Sequence, residues 1–287
     1  MYGTLYICAT PIGNLGDITE RVISCLKNAD LIAAEDTRNS MKLLSRFDIH
    51  TPLTSYHEFN KTEKAEELLY ALREGRNIAL ISDAGTPVIS DPGDVLIRRC
   101  IEEGIPYTSL PGPSAVITAL TLSGLPARRF CFEGFLPRQK SSRRQILSEL
   151  RDEVRTIVLY EAPHRLKETL SDLYEYLGDR PIAICRELTK VHEEVVRLTL
   201  SEAIAYYEET GPRGEYVLVL SGKSPEQKEE ERKSSFLQWT VPEHVDHYMK
   251  QGMPQKEAMR RAAKDRGVSR RDIYREIMEK DNDGQED

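Results

Sequence analysis

The sequence lacks the patterns on which several kinds of site and compartment depend. No apolar run approaches the length of about eighteen residues that crosses a bilayer, and no basic lead precedes an apolar core at the N-terminus. We therefore expect a cytoplasmic protein with no membrane partner. Its cysteines are odd in number, far apart and without a C-x-x-C pair, which predicts buried thiols and neither disulfides nor a zinc site. They are Cys8, Cys25, Cys100, Cys131 and Cys185.

Catalytic groups with a recognisable spacing are also missing. Histidines such as His57, His164 and His192 are scattered without an i, i+4 pair, and no serine stands in a G-x-S-x-G turn. Hydrolysis by a metal or through covalent catalysis is therefore not supported, and we expect no metal. The formal net charge of −7 excludes a uniformly basic coat, so a polyanionic partner would have to bind local basic patches.

What the sequence contains is an alternation of short apolar runs with helical patterns, over 287 residues, a length that suits about two domains. In the first part this alternation predicts a parallel sheet. In the second half the strands adjoin without long helices, which predicts a mixed sheet. The fold class is α/β. The predicted segments are an N-terminal domain over 1–115, a second α/β domain over 116–221, a linker or exposed helix over 222–235, a helix-turn-helix-like module over 236–280 and an acidic tail over 281–287.

A polar loop over 82–93 follows the buried strand predicted over 78–81. It carries the carboxylate of Asp83, the hydroxyl of Thr86 and a glycine, Gly85, where the backbone could approach a ligand closely. Because ligands of open α/β sheets bind beyond the carboxyl ends of the strands, this loop is the predicted floor of a pocket. The alternative is a plain connection in which Asp91 caps a helix that begins at Pro92, and it leaves 82–86 unexplained.

Other predicted strands also end in polar clusters. The first loop, 10–17, resembles a nucleotide-binding turn, but it has neither G-x-G-x-x-G nor the P-loop lysine, so a phosphate cradle is disfavoured. Further clusters follow at 35–38, 161–165 and 186–190. A cleft rich in glycine and proline and without phosphate-binding spacing suits a neutral or zwitterionic cofactor held through backbone groups.

Two segments of this acidic chain are locally basic. Residues 137–155 contain six basic side chains against three acidic ones, and 255–280 contain nine against five. The first segment is either a solvated helix face or a phosphate-facing patch. The second is either a helix-turn-helix on a polyanion or a packing module, and in it Ser269 and Asp272 form a predicted capping box after the turn at Gly267.

A set of motifs occurs in order along nearly the whole chain. They are ATPIGNLGD at 9–17, AEDTR at 34–38, SDAGTP at 82–87 with DPG at 91–93, PGPSA at 111–115, FEGFLP at 132–137 and RELTK at 186–190. The set resembles the ribosomal RNA small subunit methyltransferase I family, a branch of the tetrapyrrole methylase fold. The resemblance implies a homodimer of two-domain α/β subunits that uses S-adenosylmethionine. It also implies methylation of the ribose 2′-oxygen of a cytidine in the decoding region of 16S ribosomal RNA, within the small ribosomal subunit.

The same resemblance implies the positions that bind S-adenosylmethionine. They are Pro11, Asp83, Gly85, Thr86, Ser114, Ala115, Tyr160, Glu161 and Gly214. These types fit the chemistry, because the methionine tail needs backbone donors and acceptors while a carboxylate favours the sulfonium charge. The tetrapyrrole enzymes usually carry G-x-G-x-G-D-P in the first loop, where PIGNLGD stands here at 11–17. That departure disfavours a porphyrin substrate and favours the ribose-methylating branch.

The group that takes the proton from the ribose hydroxyl is left open. Candidates at strand ends, each of which could instead be a cap or an ion-pair partner, are Asp36, His57, Glu133, Glu161 and Glu187. Candidate phosphate contacts are Arg38, Arg138, Arg143, Arg144 and Lys190. Two rival functions also stay open. One is methylation of a tetrapyrrole carbon or a protein side chain by the same fold, and the other is an RNA-binding module without catalysis.

Overall fold

The computed structural model describes the backbone of residues 1–283 and the side chains of 1–229, 234, 236 and 238–277. The chain divides into two compact units, Met1–Gly222 and the residues from Lys223 onward. The first unit contains two five-stranded sheets. In the second unit, the described residues form helices and no strands. None of the helices in the described residues has the length and apolar character needed to span a membrane.

The first sheet is entirely parallel, with strand order β3-β2-β4-β1-β5. Its strands are β1 Leu5–Cys8, β2 Leu31–Ala34, β3 Leu53–Ser55, β4 Ile78–Ile81 and β5 Tyr107–Leu110, and its helices are α1 Glu20–Asn28, α2 Thr37–Arg46, α3 Lys61–Arg73 and α4 Asp94–Glu103. All four residues of β4 are buried because apolar clusters cover both faces of the sheet. The parallel arrangement brings the carboxyl ends of the strands to one edge.

The second sheet is mixed, as the sequence predicts, with strand order β6-β7-β10-β8-β9. Its strands are β6 Phe130–Phe135, β7 Thr156–Glu161, β8 Pro181–Arg186, β9 Glu194–Thr199 and β10 Tyr216–Leu220. Only β6 and β7 pair in parallel. One face packs against α6 Lys140–Leu150, α7 Leu166–Leu177 and α8 Leu200–Thr210, and the other face packs against α5 Ala115–Ser123.

Helix α8 corrects the expectation that the strands of the second half adjoin without long helices. It fills eleven residues between β9 and β10. Its start is a complete capping box, in which Glu202 N–H donates to Thr199 Oγ1 and Thr199 N–H donates to the Glu202 carboxylate. The T-x-x-E spacing at 199–202 is a signal in the sequence that could have predicted this helix.

The central loop does not cap the helix that follows it. Helix α4 begins at Asp94, and its N-cap is Gly93, which makes no side-chain cap bond. Asp91 lies instead beside Ser82, the first residue after β4, and its carboxylate is hydrogen-bonded to the Ser82 side chain. The alternative in which Asp91 is merely a helix cap is therefore wrong, and its carboxylate needs another explanation.

The helical unit contains α9 Pro225–Leu237, α10 Val241–Lys250, α11 Gln255–Arg266 and α12 Arg270–Asp283. Much of 222–235, predicted as a linker or an exposed helix, is thus helix. Of the segment predicted as an acidic tail, 284–287 lie outside the described residues. The predicted capping box is confirmed, because Asp272 N–H donates to Ser269 Oγ and Ser269 N–H donates to Asp272 Oδ2. The unit has its own apolar core, in which Phe236 and Tyr248 pack against α11.

Candidate active site

A cavity of about 480 Å³ lies at the edge where the strands of the first sheet end, and the second sheet forms its opposite wall. The first sheet contributes Ile12, Glu35, residues 83–86, 89–91, Ser114 and Ala115, and the second contributes Phe135, 160–163, Cys185, Glu187, Leu188, Lys190 and 215–217. The volume is that of a pocket for a small cofactor, which usually occupies 300–1,000 Å³. Its position is the one predicted from the strand ends.

Three loops of the first sheet are bonded to one another at the floor of this cavity. The backbone N–H of Thr10 donates to Gly85 O over 2.9 Å, and Gly85 N–H donates to Thr10 O over 3.0 Å. Thr86 Oγ1 then donates to Pro113 O over 3.3 Å. Gly85 has φ +82°, a conformation that only glycine adopts without strain, so the loop can turn back here.

Backbone strain is concentrated around the same cavity. Val88, a β-branched residue, has φ +82°, and Glu187 and Thr189 have φ +50° and +65°. The strained loop of the second sheet is bound to the first loop of the first sheet, because Asn14 N–H donates to Thr189 Oγ1 over 3.0 Å. Such strain persists only where surrounding contacts enforce it, and it is typical of binding loops.

Carboxylates dominate one end of the cavity. Asp83 is oriented by two donors, the backbone N–H of Asp36 at 3.2 Å and the Asn39 amide at 3.1 Å. Burial raises the pKa of Asp91, the Asp83 charge adds to this rise, and a hydrogen bond from Ser82 opposes it. Burial also raises the pKa of Glu35, with smaller contributions from the charges of Asp91 and Asp83. This end of the cavity therefore favours a cation or a proton.

Lys190 supplies the cationic side chain on the opposite wall. Its Nζ contacts Glu187 Oε1 at 3.0 Å and Glu215 Oε2 at 2.8 Å. Burial lowers the pKa of Lys190, but the bonds to Glu215 and Glu187 outweigh it and the net shift is upward, so the ammonium stays charged. Its stem lies against Gly13, where an added Cβ would come within 2.5 Å of Lys190 Cγ.

Seven of the nine positions expected to bind the cofactor line this cavity. They are Asp83, Gly85, Thr86, Ser114, Ala115, Tyr160 and Glu161. Pro11 lines a smaller groove of about 240 Å³ that shares Asp83 with the cavity. Gly214 is not among the lining residues. Its lack of a side chain makes room for Glu187 instead, since a Cβ there would stand 2.6 Å from that side chain.

The five candidates for a base do not converge. Asp36 caps α2 by accepting from Arg38 N–H, and neither His57 nor Glu133 lines the cavity. Glu161 is 1% exposed, and its carboxylate accepts from the Thr169 hydroxyl and from Ala162 N–H. Glu187 accepts from Lys190 and from Glu215 N–H.

Three carboxylates that line the cavity are absent from the predicted site residues, namely Glu35, Asp91 and Glu215, and the last of these is bound to Lys190. In the alternative interpretation of the loop Asp91 is a helix cap before Pro92, and Glu35 belongs to the charged cluster at 35–38, in which only Asp36 is a candidate base. The useful signal for Asp91 was its place in the same polar loop as Asp83. Both Asp91 and Glu35 face the cavity, and the pKa of each is raised chiefly by burial.

The prediction that Arg143 contacts phosphate is wrong. It is 5% exposed, and its guanidinium donates to Asp172 and to the Thr169 hydroxyl at the interface of α6 with α7. Arg38, Arg138 and Arg144 are exposed, and the side chain of Arg38 is 85% exposed despite its contact with Asp36. Arg143 thus stabilises the packing of two helices and is not part of a basic surface.

The two sheets with a cavity across their strand ends define a methylase of the tetrapyrrole class, and the family described as Tetrapyrrole (Corrin/Porphyrin) Methylases matches residues 4–204. A solved diphthine synthase shares the fold, with TM-score 0.63 and 14% identity over 77% of this chain and 91% of that one. A Halalkalibacterium halodurans protein named ribosomal RNA small subunit methyltransferase I is 52% identical, over 95% of this chain and 93% of its own. A Thermotoga maritima protein of the same name is 50% identical, over 77% of this chain and 99% of its own. The chain therefore belongs to the ribosomal RNA small subunit methyltransferase I family.

The buried position of Arg143 generates a stability prediction. Arg143→Ala should lower the free energy of unfolding by about 2 kcal/mol, because it leaves Asp172 and Thr169 without their donor, while the partial exposure of Asp172 limits the loss. Arg144→Ala, one position along and exposed, is the matched control and should change it by less than about 0.5 kcal/mol. Urea unfolding followed by circular dichroism measures both. Equal stabilities would contradict the structural role of Arg143.

Proposed function

We propose that this protein transfers the methyl group of S-adenosylmethionine to the ribose 2′-oxygen of a cytidine in the decoding region of 16S ribosomal RNA. The observation that carries the proposal is an acidic cavity of cofactor size at the strand ends of a chain whose relatives are named ribosomal RNA small subunit methyltransferase I. Methylation of a tetrapyrrole or of a protein side chain remains an outcome of the test, and no observation on this chain favours it.

The residues of the cavity fit S-adenosylmethionine, which supplies an electrophilic methyl group on a sulfonium when bound. Asp83, Asp91 and Glu35 provide negative charge that suits a sulfonium and an ammonium group. The Gly85 backbone and the hydroxyls of Thr86 and Ser114 offer the donors and acceptors that orient a zwitterionic tail. Binding is assigned here to Asp83, Gly85, Thr86, Ser114, Ala115, Tyr160 and Glu161. No group of three or more metal-ligating side chains is found in the described residues.

Aromatic side chains form part of the cavity wall and can exclude water. Tyr160 packs against Phe132 and Phe135, with ring centroids 5.0 and 5.5 Å apart. Phe135 is 53% exposed and lies at the cavity, so it can also contact an arriving nucleoside. Alignment of the reacting atoms and exclusion of water are the main tasks for transfer from so strong an electrophile.

Asp91 is the proposed acceptor of the ribose hydroxyl proton. Glu161 and Glu187 are committed to other donors, whereas Asp91 faces the cavity with Ser82 as its hydrogen-bond partner. Burial raises its pKa, which makes the carboxylate a stronger base than an exposed aspartate. Arg38, Arg138 and Arg144, all exposed, are the proposed phosphate contacts, whereas Lys190 at the cavity wall is bound to Glu187 and Glu215.

The proposed substrate is 16S RNA in the small ribosomal subunit, and the proposed active form is a homodimer in the cytoplasm. Exposed apolar side chains of the first unit, among them Phe59, Val191 and Ile117, are available to such an assembly. Light scattering after gel filtration measures the mass of the purified protein.

The test of the activity uses labelled S-adenosylmethionine and small subunits from a strain that lacks the gene. Label should enter 16S RNA at one cytidine. The phosphodiester next to that cytidine should become resistant to alkali, because a methylated 2′-oxygen cannot attack it. Subunits from the parent strain, already methylated, are the control and should take up little label. Label on a base, on protein or on neither would overturn the proposal.

The turn at Gly85 predicts a selective loss of cofactor affinity. Gly85→Val places a branched side chain at φ +82° with its Cβ 3.3 Å from Ile12 Cγ2, and should weaken S-adenosylmethionine binding at least ~10-fold. Gly104→Val, at φ +66° in open space, carries a similar backbone cost of about 1–2 kcal/mol and is the matched control. Calorimetry on the folded variants compares their affinities. Unchanged affinity in Gly85→Val would remove this loop from the cofactor site.

The pH dependence of methylation tests the role of Asp91. The ionised carboxylate is the base, so kcat should rise with pH through the raised pKa of Asp91 and fall below it. Ser82→Ala removes a bond that favours the ionised form and should move this acidic limb to higher pH. Asp91→Asn should abolish the limb and lower kcat by ~100-fold or more at saturating cofactor. An acidic limb that survives in Asp91→Asn would assign the proton to another group.

A further inference from the structure

The helical unit presents a set of exposed cations on two consecutive helices. On α11 they recur at i, i+4 and i+8, and on α12 they cluster in the first two turns. The exposed side chains are Lys256, Arg260, Arg261, Lys264, Arg270, Arg271 and Arg275. Tyr274, 53% exposed, stands among those of α12. We define these eight residues as the basic face.

Arg266 is also on α11 but does not belong to the basic face, because its guanidinium is bound within the helical unit. Arg266 donates through Nε to His244 Nδ1 over 3.1 Å and through Nη2 to Phe236 O and Trp239 O. It therefore joins the end of α11 to the end of α9, to the turn that follows α9 and to α10. The apolar side chains of α11 and α12 that pack against α10, such as Ala262 and Ile273, are buried. The basic face thus lies on the solvent-exposed side of these two helices.

Local ion pairs do not neutralise the basic face. Arg260 lies 3.5 Å from Glu257, and Arg261 lies 3.9 Å from Asp265. The contact of Arg260 with Glu257 joins two exposed side chains and contributes little, about 0–1 kcal/mol, so a phosphate can replace it. The contact of Arg261 is longer, and its partner Asp265 is buried and accepts from the Tyr248 hydroxyl. The whole chain carries a formal net charge of −7, so these seven exposed cations, which outnumber the exposed acids Glu257, Asp272 and Glu276 between them, are a local feature that suits a polyanion as its partner.

We infer that the basic face, none of whose residues lines the methylation cavity, is a docking surface for ribosomal RNA, and this rests on the proposed function. Arginines that reach phosphates, with an exposed tyrosine among them on which an unpaired base can stack, suit RNA better than an acidic protein surface. The face adds affinity for substrate and takes no part in the chemistry.

The relatives are consistent with catalysis in the first unit and RNA binding by the helical unit. The Thermotoga maritima relative is matched over 99% of its own length by 77% of this chain, so a part of this chain as large as the helical unit has no counterpart there. The family match ends at residue 204, inside the first unit. The family match thus lies wholly within the first unit, which is consistent with a role for the helical unit outside the methylase fold.

The test reverses two charges of the face in the full-length protein. Arg271→Glu with Arg275→Glu should weaken binding to deproteinised 16S RNA at least ~10-fold and reduce the salt slope by about 1.5, since each phosphate contact contributes about 0.7–0.9. Lys228→Glu with Lys250→Glu makes the same change in charge on exposed positions of α9 and α10 and is the matched control. Filter binding measures affinity and slope, and circular dichroism verifies the fold of each variant.

Direct binding keeps this inference distinguishable from the proposed reaction. If both double variants bind RNA like the parent, or lose affinity equally, the basic face is not a specific docking surface, whatever the protein methylates. If only the Arg271/Arg275 variant loses affinity, the face is an RNA surface even if no methyl transfer is found. In the methylation assay that variant should raise KM at least ~10-fold with kcat nearly unchanged, because the contact is used equally before and during the reaction.

Discussion

The pair of backbone hydrogen bonds between Thr10 and Gly85 is the constraint on which the candidate site depends. It continues the pairing of β1 and β4 past the ends of both strands, but as an antiparallel bridge, so the central loop has to reverse there. Gly85 has a positive φ of +82° at this reversal, which a glycine adopts without strain. Once the loop has turned, Thr86 reaches Pro113 O and the carboxylates of Asp83 and Asp91 face one cavity.

The charge of the protein is unevenly distributed. The net charge of −7 conceals an acidic cavity end, formed by Glu35, Asp83 and Asp91, and exposed cations elsewhere. In the proposed reaction such an arrangement attracts a cationic cofactor inward and holds an RNA backbone at the surface. The one lysine at the cavity wall is bound to Glu187 and Glu215, so it adds no free positive charge there.

Periodicity and turn residues predicted most of the architecture because they report local physics. Apolar runs of four residues are the buried strands β2 and β4, and the strand ends predicted the edge at which the cavity lies. Helix α8 was missed although its capping box is written in the sequence, because the apolar run of β9 passes directly into it. The apolar pattern of a segment predicts a helix or strand well only when the next element along the chain does not continue the same pattern.

The roles of individual side chains were less predictable, because they depend on residues distant in sequence. Arg143 belongs to a basic run, and only its neighbours on α7 show that it is buried. Gly214 could be placed near the cofactor by resemblance, yet the room it provides is occupied by Glu187. Composition indicates that a segment is basic or acidic, whereas tertiary contacts decide which of its charges meet solvent.

The connection between the two sheets has a mechanical consequence. Residues 111–114 join β5 of the first sheet to α5, which packs on the second, and they include two prolines and Gly112. A Cβ at Gly112 would stand 2.9 Å from Ala9 Cβ, so this strut is pressed directly against the end of β1. A short, stiff strut leaves the walls of the cavity few ways to separate. For the cofactor binding proposed above, such a connection would reduce the affinity that a ligand loses to reorganisation of the protein.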